Sequence, residues 1–173
     1  MAGESDQEEN IDDGVEIYVD LNKALQDGDW NAAREFLKQH PHAINAKITV
    51  TDKTALYVAA EARHVDIVKK LVEQMLEENL AIKADDGYTA LALAAYNGNY
   101  DIAKCMLEKN ENLIGIATKK GTIPVVLALL NGHLKLARYL YLLTPLEILE
   151  AKEGMMGATV VSEAIYNNAL GKN

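Results

Sequence analysis

The stretch Asp85–Asn110, DDGYTALALAAYNGNYDIAKCMLEKN, decides the architecture of this chain. Asp86-Gly87 is turn chemistry, because glycine takes the positive φ that a tight turn requires. Thr89 stands where a helix N-cap hydroxyl belongs, and Ala90, Leu91, Leu93, Ala94 and Ala95 behind it form helix readily. Asn97-Gly98-Asn99 stops that helix. A second one starts around Tyr100-Asp101, with Ile102, Ala103, Met106 and Leu107 at helical spacing. Two helices this short and this small cannot bury a core alone, so the stretch reads as one unit of a stack.

Equivalents of Gly98, the break between the two helices, bear this out along the chain. Gly28 lies 70 residues earlier, Arg63 lies 35 earlier and Gly132 lies 34 later. The residues after each break correspond: Trp30-Asn31-Ala32-Ala33, Val65-Asp66-Ile67-Val68, Tyr100-Asp101-Ile102-Ala103 and Leu134-Lys135-Leu136-Ala137. Upstream of the breaks, Thr54-Ala55-Leu56, Thr89-Ala90-Leu91 and Ile123-Pro124-Val125 recur 35 and 34 residues apart, and Thr159-Val160-Val161 follows 36 further on. A period of this length built from a turn and two helices has two main precedents, ankyrin and tetratricopeptide. The turn followed by Thr89-Ala90-Leu91 and Leu93-Ala94-Ala95 fits the Thr-Pro-Leu-His helix start of ankyrin units. Lys120-Gly121-Thr122-Ile123-Pro124-Val125 restores the proline, at the first helical position where its missing N–H costs nothing.

The chain therefore resembles an ankyrin-repeat protein, which implies an all-α solenoid of helix-turn-helix units with projecting turns. A finer likeness rests on Gly28-Asp29-Trp30, His40-Pro41, Ala43 through Thr49, His64 through Val68, Lys109-Asn110, Ile123-Pro124-Val125, Arg138 through Tyr141 and Thr144-Pro145. This series, spanning Tyr18 to Asn168, is similar to the N-terminal ankyrin region of plant ankyrin-repeat membrane proteins with a C-terminal PGG domain. The resemblance implies an array facing the cytoplasm, anchored at the plasma membrane through a separate multi-span segment, and binding protein partners in stress and defence signalling.

The expected organisation is an acidic disordered tail over 1–13 and an ankyrin domain over 14–173. Within it, units span about 14–48, 49–83, 84–117 and 118–153, with an incomplete unit at 154–173. The first is a helical pair acting as a cap, with helical spacing from Val15 to Leu25, a break at Asp27-Gly28-Asp29 and a second helix from Trp30 to His40-Pro41. The short last unit predicts fraying, and self-association through it is a further expectation.

Charge is unevenly distributed. Of the 26 acids, eight fall within residues 1–20, where there is no base, leaving 18 against 17 bases in the rest. The folded part offers no basic footprint, so no nucleic-acid partner is expected. Apolar runs such as Ile123–Leu130 fall short of the roughly 20 residues of a membrane span, and the acidic N-terminus is unlike a signal peptide. The reading is a soluble, cytoplasmic segment making no membrane contact itself. Cys105, the single cysteine, is expected to be a buried structural thiol.

No catalytic, cofactor-binding or metal-binding constellation emerges. His64 and His133 share one repeat position, just after the break, where a hydrogen-bonding structural role is expected. His40-Pro41-His42 has no further ligand nearby in sequence. The glycines match neither the phosphate-loop nor the dinucleotide pattern. Glu77-Glu78 and Glu108/Glu111 read as solvated helix ends. The expected function is non-catalytic protein recognition across the concave face, where turns project as fingers beside the exposed ends of the first helices. The candidate residues are Lys53 and Glu61 in one unit, Asp85, Asp86, Tyr88, Tyr96 and Asn97 in the next, and Lys119, Lys120, Thr122, Leu130 and Asn131 in the third. Val50, Thr51 and Gln26 extend the same face. Tyr88 and Tyr96 stand out because tyrosine is enriched at binding hot spots.

Overall fold

In a computed structural model, residues 13–150 are described. The chain runs through α1 (Asp13–Glu16), α2 (Val19–Asp27), α3 (Trp30–Gln39), α4 (Ala55–Glu61), α5 (Val65–Gln74), α6 (Ala90–Asn97), α7 (Tyr100–Lys109), α8 (Pro124–Leu130), α9 (Leu134–Leu143) and α10 (Leu146–Glu150). Short 3-10 turns at Pro41–Ile44, Glu77–Ala81 and Glu111–Gly115 lead from α3, α5 and α7 into the next finger. Among the described residues there is no β-strand, only an isolated bridge between Lys47 and Thr54. The predicted tail and the incomplete C-terminal unit lie outside the described residues.

Start and stop signals act where the sequence places them. The hydroxyls of Thr54 and Thr89 accept the N–H groups of Tyr57 and Ala92 at 3.3 and 3.1 Å, each satisfying an orphan donor of the first turn. At the same place in α8, Ile123 has no side-chain acceptor, and the corresponding Val126 N–H turns to the Ile123 carbonyl at 3.1 Å, while Pro124 at the first position removes one orphan donor outright. The breaks at Gly28, Gly98 and Gly132 are left-handed, with φ of 78°, 72° and 76°, and Arg63 adopts the same conformation at 63°. The repeat spacing therefore overrides the steric preference of Arg63 for negative φ.

The first helices α2, α4, α6 and α8 pack side by side in a row, and each second helix lies against its own first helix. Small buried residues line the first row: Ala55, Ala59 and Ala60 in α4, then Ala90, Ala92, Ala94 and Ala95 in α6. They let backbones approach closely, whereas Ile67, Leu71, Ile102, Met106, Leu136 and Leu140 fill the space behind with larger side chains. All of these are buried, and each large one contributes on the order of 1.5–3 kcal/mol. Small side chains in front and large ones behind favour curvature with the first-helix side inward.

Two local expectations are corrected. The helix read over Val15–Leu25 is two pieces, because Tyr18 turns out of the axis, its N–H returning to the Val15 carbonyl at 2.9 Å. Its ring instead packs edge-on against Phe36 and His42, both at 6.3 Å between centroids, and leaves Val19 exposed. Cys105 is only half-buried, since it faces a shallow groove between α5 and α7 lined by Lys69, Glu73 and Glu108. Burial and the neighbouring Glu108 still push its thiol upward, keeping it protonated and weakly nucleophilic.

Candidate functional site

Each finger is a tight turn closed by its own backbone. The N–H groups of Ile48, Ala84 and Thr118 donate to the carbonyls of Lys53, Tyr88 and Thr122 at 2.8, 3.0 and 3.0 Å. Gly87 and Gly121 supply the positive φ these turns need, and Asp52 supplies it in the first finger. The Asp85 N–H donates to the Thr51 carbonyl at 3.1 Å, joining the first and second fingers. On the other side, the Lys119 ammonium reaches the Asp85 carbonyl.

Side chains of the second and third units form a connected set over this backbone. Lys53 Nζ sits 2.9 Å from both carboxylate oxygens of Glu61 and 5.5 Å from the centroid of the Tyr57 ring. The Tyr57 hydroxyl donates across the junction to Asp86 Oδ2 at 3.1 Å. Asp86 Oδ1 accepts the Tyr88 N–H at 2.8 Å, fixing the finger as an Asx turn. The Tyr88 ring then meets Tyr96 edge to face, 6.2 Å between centroids and 86° between planes. Tyr96 remains 46% exposed. Burial raises the Tyr57 phenol well above its ordinary value, with Asp86 adding to the effect; burial and Asp86 move Tyr88 the same way. Both hydroxyls are donors at neutral pH.

The fourth unit is less engaged. Lys120 is exposed beside Lys119, and the Thr122 N–H is held by Thr118 Oγ1 at 3.3 Å. Leu130 presents an apolar surface 59% exposed at the place corresponding to Tyr96. Asn97 is half-buried at the end of α6, and the Asn131 carboxamide folds back on the Leu127 carbonyl at 2.8 Å. Of the predicted residues, then, Lys53, Glu61, Asp86, Tyr88 and Tyr96 are linked through contacts, while Asp85 and Lys119 meet through backbone. Tyr57 escaped the sequence reading. It occupies an apolar position, equivalent to Ala92 and Val126, and only stacking brings its hydroxyl to a residue 29 positions away.

The two histidines at the repeat position are structural latches. His64 Nε2 meets the Gln26 carbonyl at 2.9 Å, and His133 Nε2 meets the Tyr96 carbonyl at 2.9 Å. Each ring also lies where a Cβ on the preceding break residue, Gly28 or Gly98, would collide with it. Asn99 holds that position in the remaining junction, and its buried Nδ2 has no hydrogen-bond partner among the described residues. His40 and His42 stack with Tyr18 and Phe36 in an aromatic cluster at the N-terminal end.

Residues 70–148 match the family model for ankyrin repeats (3 copies), and residues 51–83 match that for a single ankyrin repeat. The chain belongs to the ankyrin-repeat family. An ankyrin repeat-containing protein of Arabidopsis thaliana is 31% identical over 97 residues, 54% of this chain and 18% of that protein. Ankyrin repeat-containing protein ITN1, also of Arabidopsis thaliana, is 36% identical over 61 residues, 35% of this chain and 10% of its own length. A probable E3 ubiquitin-protein ligase, XBOS32, of Oryza sativa subsp. japonica is 29% identical over 118 residues, 68% of this chain and 23% of the ligase. The chain thus spans less than a quarter of the length of these relatives. An ankyrin array is a protein-interaction module, and its fold is a scaffold rather than a catalytic one. No helix among the described residues is long and apolar enough to cross a membrane.

Proposed function

We propose that this ankyrin array recognises a partner protein through its inner face, in plant stress or defence signalling. The observation that carries the reading is the ordered pair Tyr88 and Tyr96, held edge to face on a hydrogen-bonded finger while Tyr96 stays open to solvent. Rigid aromatics lose little entropy on binding, which suits them to anchor a contact. Lys53, Glu61, Asp85, Lys119, Lys120 and Thr122 supply the polar surround, and Leu130 continues the apolar surface one unit further on. Asn97 and Asn131 serve the helix ends more than the face.

The plant setting draws support from the relatives in Arabidopsis thaliana and rice. A second reading, resting on the family resemblance, is that such an array acts as the cytoplasmic regulatory or self-association part of a membrane-anchored parent. The test is affinity capture from plant extract with the wild-type array beside the Tyr88→Ala/Tyr96→Ala variant. A partner retrieved by wild type alone, with helicity equal in both, supports the inner face. Equal recovery of every partner refutes it.

A further inference from the structure

We propose that Tyr57 is a positioning residue of the recognition surface, reaching across a repeat junction to hold the finger that carries Tyr88. The inference rests on the recognition reading above and deepens it. In an array of this kind the first helices are expected to be packed by small apolar side chains, and α6 and α8 obey, with Ala92 and Val126 at the place in question. Tyr57 breaks the pattern in α4. Its ring is 97% buried, being only 3% exposed, yet its hydroxyl emerges on the far side of the junction at Asp86 Oδ2.

That contact uses one oxygen of the Asp86 carboxylate while the other receives the Tyr88 N–H. The carboxylate is therefore fixed at two points, one on a rigid buried ring and one on the backbone it shapes. A free Asx turn can exchange its side-chain acceptor for water; one whose carboxylate is also tied to the core pays that exchange twice. The next finger shows the contrast. Lys120 stands at the position of Asp86 and Ala92 at that of Tyr57, so no buried side chain of the preceding unit ties that turn, which is held within its own unit by Thr118 Oγ1 on the Thr122 N–H. Lys119 reaches the Asp85 carbonyl instead, through a flexible exposed chain. Among the described fingers, only the one bearing Tyr88 is anchored from inside the preceding unit.

The test is Tyr57→Phe, which keeps the ring and deletes only the hydroxyl, in the free 173-residue chain. Amide hydrogen exchange at Tyr88 should quicken about tenfold, the scale of one net hydrogen bond. Exchange at Thr122, in the finger that lacks this tie, should stay unchanged. The equilibrium constant for global unfolding should rise by no more than about the same tenfold, since the unfolded chain lacks the bond as well. Asp86→Ala should quicken Tyr88 exchange as well, and adding Tyr57→Phe to it should bring nothing more. Unchanged exchange at Tyr88, an equal rise at Thr122, or additive effects of the two changes would each overturn the role.

Capture of the wild-type partner then separates the two readings. Binding weakened in Tyr57→Phe as well as in Tyr88→Ala/Tyr96→Ala supports positioning. Binding lost only in the latter overturns it while leaving recognition intact. Binding kept in both removes the recognition surface, and the exchange data alone then decide whether Tyr57 holds the finger.

Discussion

Among the described junctions, exchanging the residues at the one without a histidine latch gives the sharpest test of the stacking geometry. In the latched junctions the break residue is glycine and a histidine ring sits against it: Gly28 with His64, Gly98 with His133. A Cβ on Gly28 would come within 2.8 Å of the His64 ring. Between them, Arg63 carries a Cβ at φ 63° and Asn99 stands where the histidine would be. Asn99→His alone should therefore force a ring against Arg63 and destabilise the chain by about 1–3 kcal/mol, the usual scale of overpacking. Arg63→Gly alone relieves about 1–2 kcal/mol of left-handed strain. It returns about 0.4–1 kcal/mol to the freer unfolded chain, leaving a net gain of roughly 0.5–1 kcal/mol. Together the two changes admit the ring, let it bond the Glu61 carbonyl, and remove the orphaned Asn99 Nδ2. The bond adds about 1 kcal/mol.

The pair should thus be more stable than either single variant, with a coupling of roughly 2 kcal/mol or more. Urea denaturation of wild type, both singles and the double closes the cycle. Additivity within about 0.5 kcal/mol would refute the steric pairing of break and latch. A lower midpoint for Arg63→Gly would refute the strain at Arg63.

Four further outcomes are expected. Leu107→Ala, deep in the central unit, should destabilise by about 2–5 kcal/mol; a loss below half a kcal/mol in equilibrium denaturation would remove Leu107 from the core. Thr89→Ala deletes the acceptor of the Ala92 N–H and should cost about 0.5–2 kcal/mol by the same measurement, against no loss if the cap is idle. Glu61→Gln breaks a half-exposed pair with Lys53 and should shift stability by less than about 1 kcal/mol; a larger loss would mean the pair holds the fold. The last concerns pH. Burial and Asp86 keep the Tyr57 phenol protonated in the folded chain above the pH, about 10, at which the unfolded chain releases that proton. The contribution is complete below that pH and is lost above it, at up to about 1.4 kcal/mol per pH unit. Wild-type stability should accordingly fall more steeply than that of Tyr57→Phe above pH 10, and parallel curves would refute it.

The repeat architecture was legible because its signals are local and recur at fixed offsets. Thr54 and Thr89 announce helix starts, and glycines announce breaks. Even Arg63 could be placed at a left-handed break, since register there outweighed residue type. Lateral contacts were harder to read. Nothing near Tyr57 in sequence distinguishes it from a core residue, because its partner Asp86 is adjacent only after two units stack. The apolar residues around Cys105 imply burial, but the outer side of α7 faces the groove beside α5. The kink at Tyr18 likewise answers to Phe36 and His42, which arrive from α3 and the turn after it. At the candidate site, residue types propose a face; which side chains on it are held still depends on contacts between units.

The junction between α4–α5 and α6–α7 differs from its neighbours in where it is fastened. Its neighbours are pinned at the helix break by His64 and His133, whereas here the ties lie at the opposite end of the helices, through Tyr57 to Asp86 and Asp85 to Thr51 at the fingers and Asn110 to the Glu77 carbonyl behind them. A plate fastened along one edge swings about that edge. Thermal bending of the solenoid should concentrate at this seam, with the fingers as the axis and the Arg63–Asn99 side as the edge that gapes. The Tyr88–Tyr96 pair sits beside the axis, so its shape persists while the flanking units flex to meet whatever surface they hold.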